Sequence, residues 1–126
     1  MADSIESFEQ LEAWKTAREL VRLVYSIFQR EPARHDFGLK DQIQRAAVSA
    51  MTNIAEGFER VHPAEKLQFY NVARASCGEV RSLSYVMLDA RYIPNAEHET
   101  LLERVAQTGR LVSGLIRSTR ARTANP

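Results

Sequence analysis

Tyrosine and arginine side chains alternate along the third quarter of the sequence at spacings close to a heptad. In a helix they would fall within roughly 60° of one another, together with two leucines, as the set Leu67, Tyr70, Arg74, Arg81, Tyr85, Leu88 and Tyr92. Aromatic rings beside guanidinium groups can stack on the bases and pair with the phosphates of single-stranded RNA. The same residue types are enriched in subunit interfaces. This stripe is offset from the predicted core face, which favours an interface, with RNA binding as the alternative.

A second basic region lies near the carboxyl end of the chain. No acidic residue follows Glu103, whereas five arginines do, namely Arg104, Arg110, Arg117, Arg120 and Arg122. The 17 basic and 16 acidic residues leave a net charge of +1, so the protein as a whole does not attract nucleic acid or membranes. We take the last four of these arginines, with the tyrosines and arginines of the stripe, as candidates for nucleic-acid binding or for a subunit interface.

Polar side chains also occur where a helical protein would be expected to place leucine. Arg45, Ser49, Asn53 and Glu56 would project within roughly 80° of one another on the second predicted helix. Ser76 falls in the middle of the apolar face of the third helix, and Glu79 lies at its margin. Because buried polar groups must be hydrogen-bonded, we expect Glu56 or Glu79 to pair with Arg45, and Asn53 and Ser76 to bridge between helices or to backbone. A functional pocket or a solvated face are the alternatives for this buried polar network.

The sequence lacks the patterns of the common catalytic and metal sites. It has no phosphate-binding glycine loop, no Ser-His-Asp arrangement and no Glu-x-x-His repeat. The single cysteine, Cys77, is spaced onto the predicted core face, where a thiol is inert. The histidines His35, His62 and His98 fall in predicted turns, too far apart for one metal site. We therefore expect no enzyme, no metal and no cofactor.

Three prolines, Pro32, Pro63 and Pro94, divide the chain into four segments with helical periodicity. The pattern predicts an all-α fold with helices over about 8–30, 37–60, 64–92 and 96–117, followed by a frayed basic tail at 118–126. Short connections predict an antiparallel up-down-up-down four-helix bundle. Ser7 with Gln10, then Asp36, Pro63 and Asn95, are the expected residues at the helix starts.

Length and composition set further expectations. A chain of 126 residues is long enough for one domain with a core of its own. The longest apolar run has four residues, 85–88, so we expect no membrane span and no membrane partner. The first ten residues lack the basic start and apolar stretch of a secretory signal, and the expected location is the cytoplasm.

Three segments, 37–49, 53–57 and 73–79, resemble the bacterial four-helix-bundle family of the 23S rRNA intervening-sequence proteins. The most specific part is RAAVS-x-x-x-NIAEG at 45–57, and the resemblance covers about residues 8–117. It implies a small cytosolic bundle that assembles as a homopentamer. A related protein, the accessory variability determinant of diversity-generating retroelements, is a pentamer that binds nucleic acid and a reverse transcriptase. RNA or DNA, and a polymerase or other protein, are therefore the partners that the resemblance implies.

One position departs from the family pattern. Met51 stands where the family usually has proline between the serine and the asparagine of the motif. A helix kink caused by that proline would be weaker or absent here. The functional expectation is a non-enzymatic homo-oligomeric scaffold that binds RNA electrostatically. A protein-protein interaction module without a nucleic-acid role is the alternative, and an enzyme that uses the polar side chains of the second helix would require an open pocket there.

Overall fold

In the computed structural model, which describes residues 4–124, the chain is all-α and forms four long helices. These are α1 (Glu12–Ile27), α2 (Phe37–Glu59), α3 (Pro63–Asp89) and α4 (Asn95–Ala124). Two short 3-10 helices, Phe8–Gln10 and Ala33–His35, precede α1 and α2. No strand occurs among the described residues. The predicted all-α fold with four helices is confirmed.

The first helix is shorter than the predicted range of about 8–30. It begins at Glu12 and ends at Ile27, so both predicted ends are wrong. Residues 8–10 form a 3-10 turn, and Leu11 is extended, with φ −72° and ψ 127°, before α1 begins. The side chain of Gln10 stabilises this turn, because its Oε1 accepts hydrogen bonds from the backbone N–H groups of Glu6 and Ser7, at 2.7 and 3.2 Å. The break lets Phe8 fold back onto Trp14, with ring centroids 5.2 Å apart.

Two of the predicted helix starts are correct. The Asp36 Oδ1 atom accepts a hydrogen bond from the backbone N–H of Leu39 at 3.2 Å, which satisfies one free donor of α2. Pro63 is the first residue of α3, where its missing N–H costs nothing. Asn95, predicted as a cap, is instead the first residue of α4, and the carbonyl of Pro94 accepts from the His98 N–H at 3.0 Å.

The predicted frayed tail at 118–126 is also wrong, since α4 continues to Ala124; residues 125–126 lie outside the described part of the chain. The helix extends because one side of it stays buried through Val112, Ile116 and Thr119, each at most 3% exposed. Thr119 remains compatible with burial because its hydroxyl donates to the Leu115 carbonyl at 2.8 Å. The sequence pattern breaks down here only because the buried position is a threonine.

Each helix packs against two others, so that α1, α2, α3 and α4 follow one another around a shared interior. The interior contains two apolar clusters. One surrounds Leu20, Ile43, Val80 and Leu101, and the other surrounds Ala17, Ile54, Tyr70 and Val112. Among residues 4–124, no helix combines the length and the apolar character needed to cross a membrane.

Candidate nucleic-acid interface

A groove runs along the surface between α3 and α4. It consists of two adjoining cavities of about 420 and 430 Å³ that share Arg74 and Gly109 as lining residues. We call this the α3–α4 groove. Its apolar lining includes Cys77 and Val105, which are buried, and Ala106, which is exposed. A Cβ atom added at Gly109 or at Gly78 would meet nothing within 4 Å, so an alanine would fit at either position.

Four arginines line the groove, two from each helix. Arg74 and Arg81 come from α3, and Arg110 and Arg117 come from α4. Each pair is seven residues apart, which corresponds to two helical turns and about 10 Å along the axis. The residues of a pair therefore lie on the same side of their helix, and the two pairs face a common space.

The groove is basic, with four arginines and one acidic residue among its lining side chains. Within residues 4–124, none of the four groove arginines forms an ion pair, and Glu103 is the one acidic residue among the groove linings. Outside the groove, five arginines have carboxylate partners, namely Arg30, Arg34, Arg45, Arg60 and Arg104. Five others have no ion pair within residues 4–124, namely Arg18, Arg22, Arg91, Arg120 and Arg122. What distinguishes the groove is that it brings four unpaired arginines together. The groove thus presents unneutralised guanidinium groups that can each donate paired hydrogen bonds to a phosphate.

The structure retains one of the three candidate tyrosines as an exposed ring near the groove. Tyr85 lies one turn beyond Arg81, is 44% exposed, and contacts the His98 ring edge-on at a centroid distance of 4.6 Å. His98 itself lies in α4 and not in a turn; it is buried, and its Nε2 is 3.1 Å from the Ser84 hydroxyl. This packing fixes the Tyr85 ring and leaves it accessible for stacking.

The other two tyrosines are not available as an exposed platform, and that part of the prediction is wrong. Tyr70 is 2% exposed and belongs to the apolar interior. Tyr92 is half-buried, and its hydroxyl donates to Asp36 Oδ2 at 2.8 Å. This hydrogen bond, with burial and the negative charge of Asp36, raises the pKa of Tyr92. Tyr70 is buried because this part of α3 packs against Gly57 of α2, and Tyr92 lies beyond the end of α3, where it binds the residue that precedes α2.

The predicted polar network forms only in part. The Ser49 and Ser76 hydroxyls are 2.8 Å apart and connect α2 to α3. Asn53 Nδ2 donates to the Ser49 carbonyl at 2.8 Å and to the Ser49 hydroxyl at 3.0 Å. Ser76 is buried, and the other two are half-buried. These three residues therefore hydrogen-bond to one another at the contact between α2 and α3.

The three charged members of that prediction are exposed, and the expected pairing of Arg45 with Glu56 or Glu79 is wrong. Arg45 Nε binds Asp41 at 2.9 Å, and Glu56 Oε2 binds Arg60 at 3.3 Å, each one turn away on α2. Glu79 is exposed and forms no ion pair within residues 4–124. Long charged side chains at the edge of an apolar face reach water at little cost, whereas burying them would be expensive.

The remaining candidates lie apart from the groove. Arg120 and Arg122 are exposed on the last turns of α4, and Arg122 lines a different cavity. Met51 lies within an unbroken α2 and packs against the second apolar cluster.

Sequence reasoning missed the groove itself. Gly78 and Gly109 line the groove, but an isolated glycine within a helical pattern is not a specific signal, and the groove depends on how α3 and α4 pack. Among the described residues, no group of three or more His, Cys, Asp and Glu side chains could hold a metal ion.

The fold and the groove define an all-α protein of four helices with a basic surface cleft. The model of the family described as 23S rRNA-intervening sequence protein matches residues 9–114, and the chain belongs to this family. A solved structure is also similar in fold, with a TM-score of 0.76 and 17% sequence identity over 82% of this chain and 97% of the other. It is a protein of unknown function from the S23 ribosomal protein family of Bacteroides thetaiotaomicron. None of the curated proteins matches the chain.

Proposed function

We propose that the protein is a cytoplasmic, non-enzymatic scaffold that binds RNA in the α3–α4 groove. The observation that carries the proposal is the set of four groove arginines without a carboxylate partner in the described part of the chain. A guanidinium group left unpaired in an open cleft is available for a phosphate, and charge-assisted hydrogen bonds of this kind are about twice as strong as neutral ones. The exposed ring of Tyr85 adds a surface on which a base can stack.

The proposed scaffold is an antiparallel four-helix bundle that assembles as a homo-oligomer, a pentamer by resemblance to the family. Two interhelical contacts support the antiparallel order, because Arg30 after α1 binds Glu97 in the first turn of α4 at 2.8 Å, and Tyr92 after α3 binds Asp36 before α2. Exposed large apolar side chains support self-association, and they include Tyr25, Phe37, Val48, Val72 and Val86. Light scattering should give five times 14.3 kDa, about 72 kDa, and a mass of one chain would contradict the oligomer.

Binding to a fluorescently labelled single-stranded RNA of about 20 nucleotides tests the groove. The groove variant combines Arg74→Gln, Arg81→Gln, Arg110→Gln and Arg117→Gln. The control combines Arg30→Gln, Arg34→Gln, Arg45→Gln and Arg60→Gln, which removes the same charge from exposed arginines outside the groove. At low salt, anisotropy should show that the groove variant loses at least about 30-fold in affinity and the control less than about threefold. Equal losses in the two variants would refute a localised site.

The alternative function is a protein-protein interaction module. The apolar lining of the groove favours it, since Cys77, Val105 and Ala106 could receive a side chain of a partner such as a polymerase. Copurification from the native host separates the two functions. Partners that are lost on nuclease treatment support RNA binding. Partner proteins that stay bound after nuclease treatment, and that added RNA does not displace, support the interaction module.

A further inference from the structure

A separate cavity lies at the end of the fold where α2 leads into α3. It has a volume of about 670 Å³, within the size range of pockets that hold small molecules. Its walls are largely apolar and include Leu11, Phe58 and Leu115. Two cationic side chains, Lys66 and Arg122, also line it, and no acidic residue does. We call it the end cavity; it shares no lining residue with the α3–α4 groove.

Tyr70 is a buried residue of the end cavity that carries a hydroxyl group. The residue is 2% exposed, yet its hydroxyl has no hydrogen-bond partner among residues 4–124. Gly57 allows this position, because a Cβ atom there would lie 2.5 Å from Cε1 of the ring. Burial raises the pKa of Tyr70 above its ordinary value of 10.0, so the hydroxyl is protonated at neutral pH and can donate. Tyr70 lines the end cavity, and its hydroxyl is not among the fully buried side-chain atoms that lack a partner. The hydroxyl is therefore open to the cavity, where it can donate to a bound molecule.

The two cations of the end cavity are held in different ways. Lys66 Nζ donates to the carbonyls of Phe58 at 2.7 Å and Gly57 at 3.3 Å, which caps the end of α2. An ammonium group has three N–H donors, so one is left for a ligand. Arg122 is exposed and has no ion pair within residues 4–124. Burial, and then the positive charge of Arg122, lowers the pKa of Lys66, while the nearby carboxylate of Glu59 raises it.

We propose that the end cavity binds a small organic carboxylate with an apolar body, such as a medium-chain fatty acid. The carboxylate accepts hydrogen bonds from the Tyr70 hydroxyl, from Lys66 and from Arg122. The apolar body lies against Leu11, Phe58 and Leu115. A carboxylate accepts a hydrogen bond from the unpartnered phenol and offsets one of the two positive charges, and the apolar wall excludes a bare inorganic ion as the preferred ligand.

Calorimetric titration with hexanoate, octanoate and decanoate, each below the concentration at which it forms micelles, tests the ligand class. Each added methylene should tighten binding about fourfold, because burying one contributes about 0.8 kcal/mol. Decanol, with the same body and no charge, and inorganic phosphate, with charge and no body, should each bind at least about tenfold more weakly than decanoate. Equal binding of decanol, stronger binding of phosphate, or no dependence on chain length would overturn the proposal.

Three single variants test the residues. Tyr70→Phe keeps the ring and removes the hydroxyl, and it should weaken decanoate binding about tenfold or more, as expected for a hydrogen bond to a charged group. Arg122→Gln should weaken it several-fold. Arg120→Gln changes a neighbouring exposed arginine that does not line the cavity, and it should bind as the wild type does. Unchanged decanoate binding in both Tyr70→Phe and Arg122→Gln would overturn the proposed site. Because Arg122 is exposed, Arg122→Gln should fold normally and tests the site even if Tyr70→Phe lowers the stability of the protein.

Discussion

Gly57 is the residue of the family motif whose role the structure explains most directly. Its Cα faces the ring of Tyr70 on α3, and an added Cβ would lie 2.5 Å from Cε1, 2.7 Å from Cδ1 and 3.2 Å from Cζ. Tyr70 is 2% exposed and packs within the second apolar cluster, so the ring has little room to move away from α2. Gly57→Ala would therefore force α2 and α3 apart or push the ring off its position.

The size of the effect follows from two opposed contributions. Overpacking an interior typically costs about 1 to 3 kcal/mol. Replacing a glycine inside a helix with alanine stabilises by about 0.5 to 1 kcal/mol, because it reduces the freedom of the unfolded chain. We expect a net loss of about 1 to 2 kcal/mol in the free energy of unfolding, measured by urea denaturation at fixed protein concentration.

Two controls separate the contact from the propensity. Gly78→Ala lies in α3 where an added Cβ meets nothing within 4 Å, so it should stabilise by about 0.5 to 1 kcal/mol. In a Tyr70→Leu background the flexible leucine can turn from the new methyl group, and Gly57→Ala should become neutral or stabilising. A Gly57→Ala protein as stable as the wild type, or one equally destabilised in both backgrounds, would refute the reasoning.

Three further perturbations test other contacts. Ser76→Ala and Ser49→Ala should each lower the free energy of unfolding by about 1 kcal/mol. The double variant should lose less than the sum of the two, because each single variant already removes the hydrogen bond between the hydroxyls that joins α2 to α3. Additive losses would contradict this contact. Burial raises the pKa of the Cys77 thiol to about 11 from 9.0. The free energy of unfolding that the neutral thiol contributes is therefore complete below pH 9 and falls as the pH rises towards 11. The Cys77→Ala variant should lose less free energy of unfolding than the wild type over that pH range, and an identical loss would contradict the burial of the thiol. Asp36→Ala should lower the free energy of unfolding by about 1 to 2 kcal/mol, because it removes a helix cap and the Tyr92 hydrogen bond together. Tyr92→Phe removes only the hydrogen bond and should cost less; a larger cost for Tyr92→Phe than for Asp36→Ala would contradict this double role of Asp36.

The sequence was sufficient to predict the four helices and the starts of α2 and α3, because each long segment carries apolar residues at helical spacing. It failed where a polar residue occupies a buried position. Thr119 interrupts the apolar pattern of α4, but its hydroxyl binds the Leu115 carbonyl, and the helix continues. The turn before α1 was missed for a different reason. The apolar spacing alone suggests a continuous helix, whereas the hydrogen bonds that the Gln10 side chain accepts favour a 3-10 turn.

The candidate site was predictable by residue type and much less by position. Arg74, Arg81, Arg110 and Arg117 were all identified, but which of them share a groove depends on how α3 and α4 pack. Small rotations of a helix decide whether a tyrosine at the edge of a stripe is exposed, and this separates Tyr85 from the buried Tyr70.

The charged residues of the polar network could not be placed from spacing alone either. Arg45 and Glu56 have partners one turn away on the same helix, and such local pairs compete with any pairing across helices. Only the short side chains of Ser49, Asn53 and Ser76 stay between the helices, where they lack the length to reach another partner.

The salt dependence of RNA binding tests the central claim most directly. If four groove arginines each neutralise one phosphate of a single strand, the logarithm of the affinity should fall against the logarithm of salt concentration with a slope of about −2.8, a loss of about 50-fold between 50 and 200 mM. The variant without the four groove arginines should show a slope close to zero, while the control variant keeps the wild-type slope. An unchanged slope in the groove variant, or an affinity of the wild type that does not respond to salt, would contradict the account.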